Sequence, residues 1–327
     1  MDRQRILIVS PAAARDNNGN WQTASRWARF LRSLRGRYKV DVGADFAGLH
    51  AAPDLLIALH ARRSAAAVEA FKTAHPDRPC ILVLTGTDLY RDIDTSPQAR
   101  SSLEAADALV VLQEAGMARL APRPRAKARV IYQSSPALRP LPPALARRHV
   151  DICMIGHLRA EKDPLTFMRA ASLVTDPRLR LLHIGGALDP ALQDAAQATG
   201  AATPRYRWLG ALPHAQARQR LKRCQAMVIA SIMEGGANVI IEAVTCGVPV
   251  LASHIEGNLG MLGADYAGFF PVGDAAALAR LIERCAQDPA FDALLRRQCA
   301  ARAPLFAPAA EQAAVADLVD NLLRPRA

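Results

Sequence analysis

Short runs of apolar, often β-branched residues alternate along the first half of the chain with longer stretches of helical hydrophobic spacing. The runs predict strands at 6–10, 38–42, 55–60, 80–85, 108–112 and 128–133, and the stretches predict helices at 21–34, 64–75 and 96–105. Such alternation is typical of βαβ units around a parallel sheet. The first half is therefore predicted to be an α/β domain.

The same pattern restarts after a proline-rich segment. Residues 136–148 contain four prolines and show no periodicity, which indicates a linker between domains. Strands are then predicted at 151–156, 180–185, 206–209, 227–231 and 249–252, and helices at 164–174, 190–198, 215–225, 238–246, 275–287 and 289–301. We predict two Rossmann-like domains, 1–135 and 149–308, facing each other across a cleft, with a last helix at 309–323 packing back on the first domain. Ligands are expected in the cleft, at the carboxyl ends of the strands.

Composition narrows the class of protein. The 327 residues are 51% hydrophobic and 22% charged, which is typical of a globular protein and excludes disorder as the main state. No apolar run approaches the ~18 residues of a membrane span. Residues 1–5 lead directly into a strand without a signal peptide, and the six cysteines lack the spacing of a metal site or a disulfide framework. These features predict a cytoplasmic protein with reduced thiols.

Positive charge is concentrated in the first half. The formal net charge is +11, and residues 1–148 carry 23 Lys and Arg against 13 Asp and Glu, a net of +10. Two interpretations stay open at this point: an anionic partner bound there, or an arginine-rich composition that covers a solvated surface. Aromatic residues make up only 5% of the chain, and no nucleic-acid-binding module is present. A nucleic-acid partner is therefore disfavoured.

The strongest chemical signal is a glycine pair between a predicted strand and a helix. Gly235 and Gly236 allow close approach of a ligand, and the following helix offers N–H groups and a positive dipole end to a phosphate. Glu234 and Glu242 are eight residues apart, about 80° of rotation and ~12 Å of rise on a helix. They are therefore spaced to hold two ends of a nucleotide-sugar. The alternative is an ordinary capping turn, with Glu242 in a structural salt bridge.

A second signal follows the first strand of the second domain. The segment GHLRAEKDP places Lys162 at a junction between strand and helix, where a lysine suits phosphate binding. Arg159 lies in the same segment and is either a second phosphate contact or a solvated loop charge.

These segments resemble a known family. Glu234-x7-Glu242 followed by GVPV at 247–250 resembles the signature of retaining GT-B glycosyltransferases of family four. The resemblance implies that Glu234 contacts the donor sugar, 235–238 meets the diphosphate and Glu242 binds the ribose. The family's Gly-Arg-Leu-x-x-x-Lys pattern matches at Lys162, has His157 in place of its arginine, and leaves Arg159 as a substitute. The implied catalytic residues are Glu234, Lys162 and Arg159, and the implied donor-binding residues are His157, Gly235, Gly236, Ala237, Asn238 and Glu242.

Strand ends of the first domain supply the candidate acceptor site. His60 ends one strand beside Arg62 and Arg63, and is either structural or part of an anion pocket. The segment TGTD at 85–88 lies where the family often has His-Gly-x-Asp, and residues 17–20 lie where it has a loop over the acceptor. With Arg26 as a further counter-charge, the expected acceptor-binding residues are Asn20, Arg26, His60, Arg62, Arg63, Thr85, Gly86, Thr87 and Asp88.

A narrower resemblance covers most of the chain. The blocks HARRS, TGTDLYRD and GHLRAEKDP resemble those of the selenosugar synthases of selenoneine biosynthesis. This implies transfer of a sugar from UDP-N-acetylglucosamine or UDP-glucose to selenophosphate, with release of UDP and phosphate and without a metal cofactor. Two alternatives are a GT-B glycosyltransferase acting on a hydroxyl acceptor and a non-catalytic sensor of UDP-sugars.

Other motifs predict no chemistry. Asp92 and Asp94 form a DxD, the metal-binding pattern of the other glycosyltransferase fold, but its place after the TGTD turn favours a hydrated loop pair. A GxGxxG after a strand, a GxxxxGK[ST] loop and an HExxH helix are all absent from the sequence. A dinucleotide-binding oxidoreductase is therefore disfavoured.

Overall fold

The computed structural model describes residues 3–11, 19–34, 36–46, 52–138 and 149–324. The chain divides into two compact units, a first of Met1–Ser134 with Pro308–Ala327 and a second of Ser135–Ala307. Each unit is built on a six-stranded sheet in which every pairing is parallel. The prediction of two Rossmann-like α/β domains is thus confirmed. Most of the predicted linker, residues 139–148, lies outside the described residues.

The first sheet has the strand order β2-β1-β3-β4-β5-β6. Its strands are β1 Gln4–Val9, β2 Tyr38–Gly43, β3 Leu55–Leu59, β4 Cys80–Leu84, β5 Ala108–Val111 and β6 Ala128–Val130. The helices between them are α1 Gly19–Ser33, α2 Ala65–Ala74, α3 Ile93–Thr95, α4 Pro97–Ala105 and α5 Pro122–Ala126.

Both faces of the first sheet are covered. Ile6 and Ile8 of β1 lie in one buried cluster with α1, whereas Leu7 and Val9 lie in a second cluster with α2 and α4. A strand buried on both faces has no polar side to alternate with, because successive side chains point to opposite faces. This explains why β1, β3 and β4 were recognisable as continuous apolar runs.

The second sheet has the strand order β12-β11-β10-β7-β8-β9. Its strands are β7 Val150–Ile155, β8 Leu179–Ile184, β9 Tyr206–Trp208, β10 Ala226–Ile229, β11 Val250–Ser253 and β12 Phe269–Phe270. Its helices are α6 Pro164–Leu173, α7 Pro190–Ala202, α8 His214–Leu221, α9 Asn238–Thr245, α10 Glu256–Leu262, α11 Ala275–Gln287 and α12 Pro289–Arg302. The pattern did not predict α10 and β12, since seven and two residues are too short for a detectable period.

Local sequence explains where many of these helices begin. Asp163, Asp189 and Asp288 precede prolines and accept hydrogen bonds from backbone N–H groups of the first turns of α6, α7 and α12. Asp274 caps α11 in the same way. An aspartate at the cap satisfies a first-turn donor, and proline at the next position has no donor to lose.

The last helix, α13 Pro308–Leu323, belongs to the first unit and packs on α1. Its Glu311 is 1% exposed and accepts hydrogen bonds from Arg26 at 2.7 and 3.0 Å and from the Trp27 indole at 2.8 Å. Arg26 was predicted to bind the acceptor, but its guanidinium is buried against a carboxylate of its own unit. The expected counter-charge at Arg26 is therefore corrected to a structural ion pair, since its charge is already balanced.

Candidate functional site

The two segments with the strongest predicted chemistry follow adjacent strands of the second sheet. β7 pairs with β10, and from these strands the chain continues in opposite directions, to β8 on one side and to β11 on the other. Such a switch point opens a crevice at the carboxyl ends of the strands, where α/β proteins bind ligands. Lys162 follows β7 and Glu234 follows β10, so segments 72 residues apart in sequence meet here.

The segment after β7 is held in a defined conformation. The helical turn Ala160–Lys162 ends at Asp163, whose φ of 42° is left-handed. The Asp163 carboxylate accepts a hydrogen bond from the Thr166 hydroxyl at 2.5 Å and caps α6. The Ile232 N–H donates to the Glu161 carbonyl at 3.0 Å and ties this turn to the segment after β10. Lys162 is therefore carried by an anchored turn.

Lys162 and Glu234 form an ion pair across the crevice. Their side chains are 16% and 11% exposed, so each charge is largely removed from water and needs its partner. The ammonium of a lysine has three N–H donors, and the contact with Glu234 uses one of them. Two donors of Lys162 remain for a ligand, next to a carboxylate that can accept from sugar hydroxyls.

The glycine pair leads into α9 as predicted. Ala237 occupies the cap position and has no polar side chain to offer to the first turn. The early N–H groups of such a helix lack intrahelical acceptors and attract an anion, helped by the positive dipole end. Gly235 and Ala237 are buried, while Gly236 and Asn238 are half-buried. The segment 235–238 is thus a suitable cradle for a phosphate.

Glu242 lies within α9 and has a hydrogen-bond partner that the sequence analysis did not predict. Its carboxylate accepts a hydrogen bond from His214 Nε2 of α8 at 2.6 Å. This bond raises the pKa of His214 above its ordinary value, against the opposing effect of burial. The side chain of Glu242 is 11% exposed, and that of His214 is 49% exposed. His214 therefore orients Glu242 from the solvent side; 28 residues separate them, and no local motif connects them.

The backbone of Glu234 is supported by a close contact with α10. A Cβ atom on Gly257 would lie 2.0 Å from the carbonyl oxygen of Glu234, so a residue without a side chain is needed there. Beneath this contact, Ser253 Oγ donates to the Ser231 carbonyl at 2.6 Å and Asn258 Nδ2 donates to the Ser253 carbonyl at 2.9 Å. Sequence analysis did not assign this support, because α10 was not predicted.

The two remaining residues of the predicted donor site differ in their surroundings. His157 Nδ1 accepts a hydrogen bond from the Gly186 N–H at 3.1 Å, which fixes this ring nitrogen as an acceptor. Arg159 is exposed and lies in extended backbone immediately before the turn that carries Lys162. His157, which stands in place of the family's arginine, is thus engaged with the neighbouring loop. Arg159, the expected substitute, has a side chain that reaches solvent.

In the first unit, the predicted acceptor residues lie beside the point where its strand order changes direction. His60 directly follows β3, which pairs with β1, and its φ of 75° is unusual for a residue with a side chain. The imidazole is 2% exposed, Nδ1 accepts from the Arg63 N–H at 3.3 Å, and Nε2 lies 3.0 Å from the Thr87 hydroxyl. Burial lowers the pKa of His60 below its ordinary value. His60 is therefore neutral at pH 7, with its proton on Nε2, towards Thr87.

Asp88 connects the ends of β3 and β4. It is fully buried, and its carboxylate accepts hydrogen bonds from the N–H groups of Ala61 at 2.9 Å, Thr85 at 2.9 Å and Gly86 at 2.8 Å. Three backbone donors engage both oxygens of the carboxylate, which holds both strand ends in place. The predicted acceptor residues Thr85, Gly86 and Asp88 thus lie in one turn, in which the contacts of Asp88 are structural.

Asp92 differs from the prediction of a hydrated loop pair. It is 3% exposed and accepts hydrogen bonds from Arg62 Nε at 2.8 Å and Arg91 Nε at 3.2 Å. Burial raises the pKa of Asp92, but the two hydrogen bonds and charges lower it further, so that the net pKa lies below its usual range. Only Asp94 is exposed, paired with Arg119 at 2.8 Å. The prediction for Asp92 is wrong because its carboxylate is buried and paired with two arginines.

The other expected acceptor residues are more exposed. Arg63 is exposed, and Asn20 is half-buried near the start of α1. Asn17 and Asn18, predicted as part of a loop over the acceptor, lie outside the described residues.

Residues 144–305 match a protein-family model described as Glycosyl transferases group 1. This range contains the crevice of the second unit, with Lys162, Glu234 and Glu242. The match covers just under half of the chain, and the matched residues are similar to a group 1 glycosyltransferase domain. The coarser resemblance, to a glycosyltransferase, is therefore supported by the match.

Solved structures share the architecture over nearly the whole chain. Sucrose-phosphate synthase from Thermosynechococcus elongatus is 18% identical, with a TM-score of 0.76 over 99% of this chain and 100% of its own. HepE from Anabaena, in complex with UDP-glucose, is 16% identical, with a TM-score of 0.78 over 98% and 100%. A glycosyltransferase from Rickettsia africae is 14% identical, with a TM-score of 0.76 over 100% of both chains. At these identities the likeness shows the fold, which is GT-B with two Rossmann-like domains.

The described ranges contain neither a candidate metal site nor a candidate membrane span. Among those residues, no group of three or more His, Cys, Asp or Glu side chains is arranged to hold a metal ion. The helices within the same ranges do not include one whose length and apolar character would suit a membrane crossing.

Proposed function

We propose that this protein transfers a sugar from a UDP-sugar, UDP-N-acetylglucosamine or UDP-glucose, to the selenium of selenophosphate. The donor half of this proposal is carried by one observation: Lys162 and Glu234 meet beside the cradle at 235–238, within the residues that are similar to a group 1 glycosyltransferase domain. HepE, a structural neighbour, binds UDP-glucose. The acceptor half is supported by the blocks HARRS, TGTDLYRD and GHLRAEKDP, which resemble those of selenosugar synthases.

In the proposed donor complex, positive groups surround the diphosphate. Negative charge develops on the β-phosphate oxygen as the bond to the sugar breaks, and fixed donors at that position lower the barrier. These donors are Lys162, the N–H groups of 235–238 and Arg159. They supply the positive charge that a metal ion supplies in other glycosyltransferases. Glu234 accepts from the sugar hydroxyls, and Glu242, oriented by His214, accepts from the ribose. The experiment that tests this donor site is the substitution Lys162→Ala.

The proposed reaction balances without an external base. A lone pair of selenium attacks C1 of the sugar, the C1–O bond breaks, and its electrons leave with UDP. One water then cleaves the selenium–phosphorus bond, which yields the selenosugar and phosphate. Selenophosphate is already an anionic nucleophile, so no proton needs to be removed before attack. His60, whose Nδ1 accepts from Arg63 and whose Nε2 faces Thr87, is consistent with this because neither nitrogen is free to act as a base.

We also propose a cytoplasmic location. All six cysteines are buried free thiols, which agrees with a reducing compartment.

The test is UDP release with selenophosphate, thiophosphate, phosphate and simple sugar hydroxyls as acceptors, each with UDP-N-acetylglucosamine and with UDP-glucose. We expect release with selenophosphate to exceed release with phosphate by at least about 100-fold, with a selenosugar detected by mass spectrometry. Release with a hydroxyl acceptor and not with selenophosphate would overturn the acceptor assignment and favour an ordinary GT-B glycosyltransferase. Binding of the UDP-sugar without any release would favour the sensor.

A further inference from the structure

The first unit contains a cavity to which the proposed mechanism assigns no ligand. Its volume is about 460 Å³, and its lining includes Arg62, Arg91, and the cap and first two residues of α4, 96–98. Asp92 lies at its wall. The cavity is therefore bordered by two cations and one helix start.

The two arginines are oriented by a single buried carboxylate. Arg62 Nε donates to Asp92 Oδ2 at 2.8 Å, and Arg91 Nε donates to Asp92 Oδ1 at 3.2 Å. The Asp92 side chain is 5% exposed, whereas those of Arg62 and Arg91 are 46% and 45% exposed. Each guanidinium is thus anchored through its inner edge and presents its outer edge to solvent.

The outer edges are available for a ligand. Within the described ranges, the Nη groups of Arg62 and Arg91 have no hydrogen-bond acceptor, and Asp92 occupies only the Nε of each. The planar fork of a guanidinium matches the oxygen spacing of phosphate, and charge-assisted hydrogen bonds of this kind are about twice as strong as neutral ones. Two forks fixed on one carboxylate form a clamp for a tetrahedral oxyanion.

The local charge favours an anion in spite of Asp92. Two arginines and one aspartate leave a net charge of +1 at the cavity wall. His60 Nε2 lies 3.8 Å from Asp92, but burial keeps this imidazole neutral, so it does not alter the balance. The nine-residue helix α4 begins at the cavity and adds the positive end of its dipole, about half a charge.

The clamp lies where a ligand of this unit is expected. Arg62 follows β3 and Arg91 follows β4, and these neighbouring parallel strands end at the same edge of the sheet. Asp92, which accepts from Arg62 at 2.8 Å, also lies 3.8 Å from His60 Nε2. The cavity is therefore next to the predicted acceptor residues of the same unit.

We propose that Arg62 and Arg91, clamped on Asp92, bind the phosphoryl group of the anionic acceptor in this cavity. The inference rests on the proposed function, and it assigns to Arg91 the counter-charge that Arg26 cannot supply. Arg91 is a binding residue, and Asp92 is a positioning residue that acts through the two arginines.

The test uses four variants of the full chain: Arg62→Gln, Arg91→Gln, Arg91→Lys and, as a matched control, Arg123→Gln. Arg123 lies in the same unit, its side chain is 86% exposed, and it pairs only with the exposed Glu104. The readouts are KM for selenophosphate, KM for the UDP-sugar, and the dissociation constant of inorganic phosphate measured by calorimetry without donor. Thermal unfolding of each variant shows whether it is folded.

Loss of one charge-assisted contact should weaken phosphate binding and raise KM for selenophosphate about tenfold or more in Arg62→Gln and Arg91→Gln. Arg91→Lys should fall between Arg91→Gln and the unaltered protein, since it keeps the charge but not the fork. It also keeps a cation against Asp92, so it remains informative if Arg91→Gln fails to fold. KM for the UDP-sugar, and all values for Arg123→Gln, should stay within about twofold.

The clamp would be overturned by phosphate binding that both glutamine variants leave within twofold, or by weakened phosphate binding without any rise in KM for selenophosphate. The calorimetric arm separates this inference from the proposed function. If the unaltered protein does not turn over selenophosphate, the proposed acceptor is wrong, and the phosphate titration still decides whether the two arginines bind an oxyanion. If inorganic phosphate does not bind at all, the clamp is wrong, whatever the acceptor.

Discussion

Two acidic residues of the second unit and two of the first are used in different ways. In the second unit, Glu234 and Glu242 each have one basic side chain as partner, and these partners, Lys162 and His214, keep donors or exposed surface for a ligand. In the first unit, Asp88 and Glu311 are buried and accept three or more hydrogen bonds each. A buried carboxylate that accepts three or more hydrogen bonds inside its own unit is part of the scaffold, whereas one with a single basic partner is available for chemistry.

Because of this difference, substituting the two kinds of carboxylate or their partners should have different effects on stability and on turnover. Removing a saturated carboxylate leaves several buried donors without an acceptor, which costs stability. Removing a member of an ion pair in the crevice should change turnover more than folding. The predictions below test this contrast, beginning with the effect that should be largest.

Glu311→Ala should lower the free energy of unfolding by about 3–5 kcal/mol, because it leaves the buried Arg26 guanidinium and the Trp27 indole unpaired. The measurement is urea-induced unfolding followed by circular dichroism. The control is Asp317→Ala on the same helix, since Asp317 pairs with Arg129 at 3.1 Å with side chains 61% and 51% exposed. That variant should lose about 0.5 kcal/mol or less. Equal losses in both variants would contradict the contrast.

Lys162→Ala should lower kcat/KM by about 100- to 1000-fold, as expected for loss of a donor that stabilises developing charge. UDP release with the UDP-sugar and selenophosphate is the measurement, and the loss of stability should be smaller than for Glu311→Ala. Arg280→Ala is the control, since Arg280 is an exposed cation on α11 of the same unit. Full kcat/KM in Lys162→Ala would show that the crevice is not the donor site.

Gly257→Ala should destabilise the protein by about 1–3 kcal/mol, because the new Cβ atom would lie 2.0 Å from the Glu234 carbonyl oxygen. It should also lower kcat/KM, since the displaced backbone carries Glu234. Gly200→Ala is the same change in α7, where a Cβ atom meets nothing within 4 Å. There we expect a gain of about 0.5 kcal/mol from helix propensity. A loss of similar size at both positions would show that the support of Glu234 by α10 is not specific.

The smallest expected effect is a pH dependence from His214. Its pKa is raised in the folded protein, first by the hydrogen bond to Glu242, so its contribution is fully present below the unfolded pKa of about 6.5 and lost as pH rises through the folded value. His214→Asn should therefore lower the free energy of unfolding by roughly 0.5 kcal/mol at pH 5.5, a figure reduced for its exposed side chain, and much less at pH 9.

The control is the substitution His214→Asn made in the Glu242→Gln variant. In that background the loss should be equal at the two pH values, because the charged partner is gone. A loss in His214→Asn alone that does not depend on pH would contradict the ion pair between α8 and α9.

Sequence patterns predicted the local elements around the candidate donor residues better than the partners of the candidate acceptor residues. Glu234, the glycine pair and Glu242 lie within nine residues, so strand, turn and helix position them locally. Lys162 was found in the same way, at the start of a helix. Arg26 and Asp92 show the opposite case, because their partners Glu311 and Arg62 are 285 and 30 residues away and burial decides their roles. The charge excess of residues 1–148 therefore did not indicate which arginines are balanced.

The sequence by itself determined the alternation of strands and helices, the division into two α/β units and the candidate phosphate cradle at 235–238. These features depend on local periodicity, on capping residues and on glycine, all of which act over a few positions. Only the tertiary structure decided that Glu311 neutralises Arg26, that His214 orients Glu242, and that Asp92 aligns Arg62 with Arg91. The reason is physical: the state of a charge depends on its burial and its partners, and parallel strands bring those partners together from distant parts of the chain.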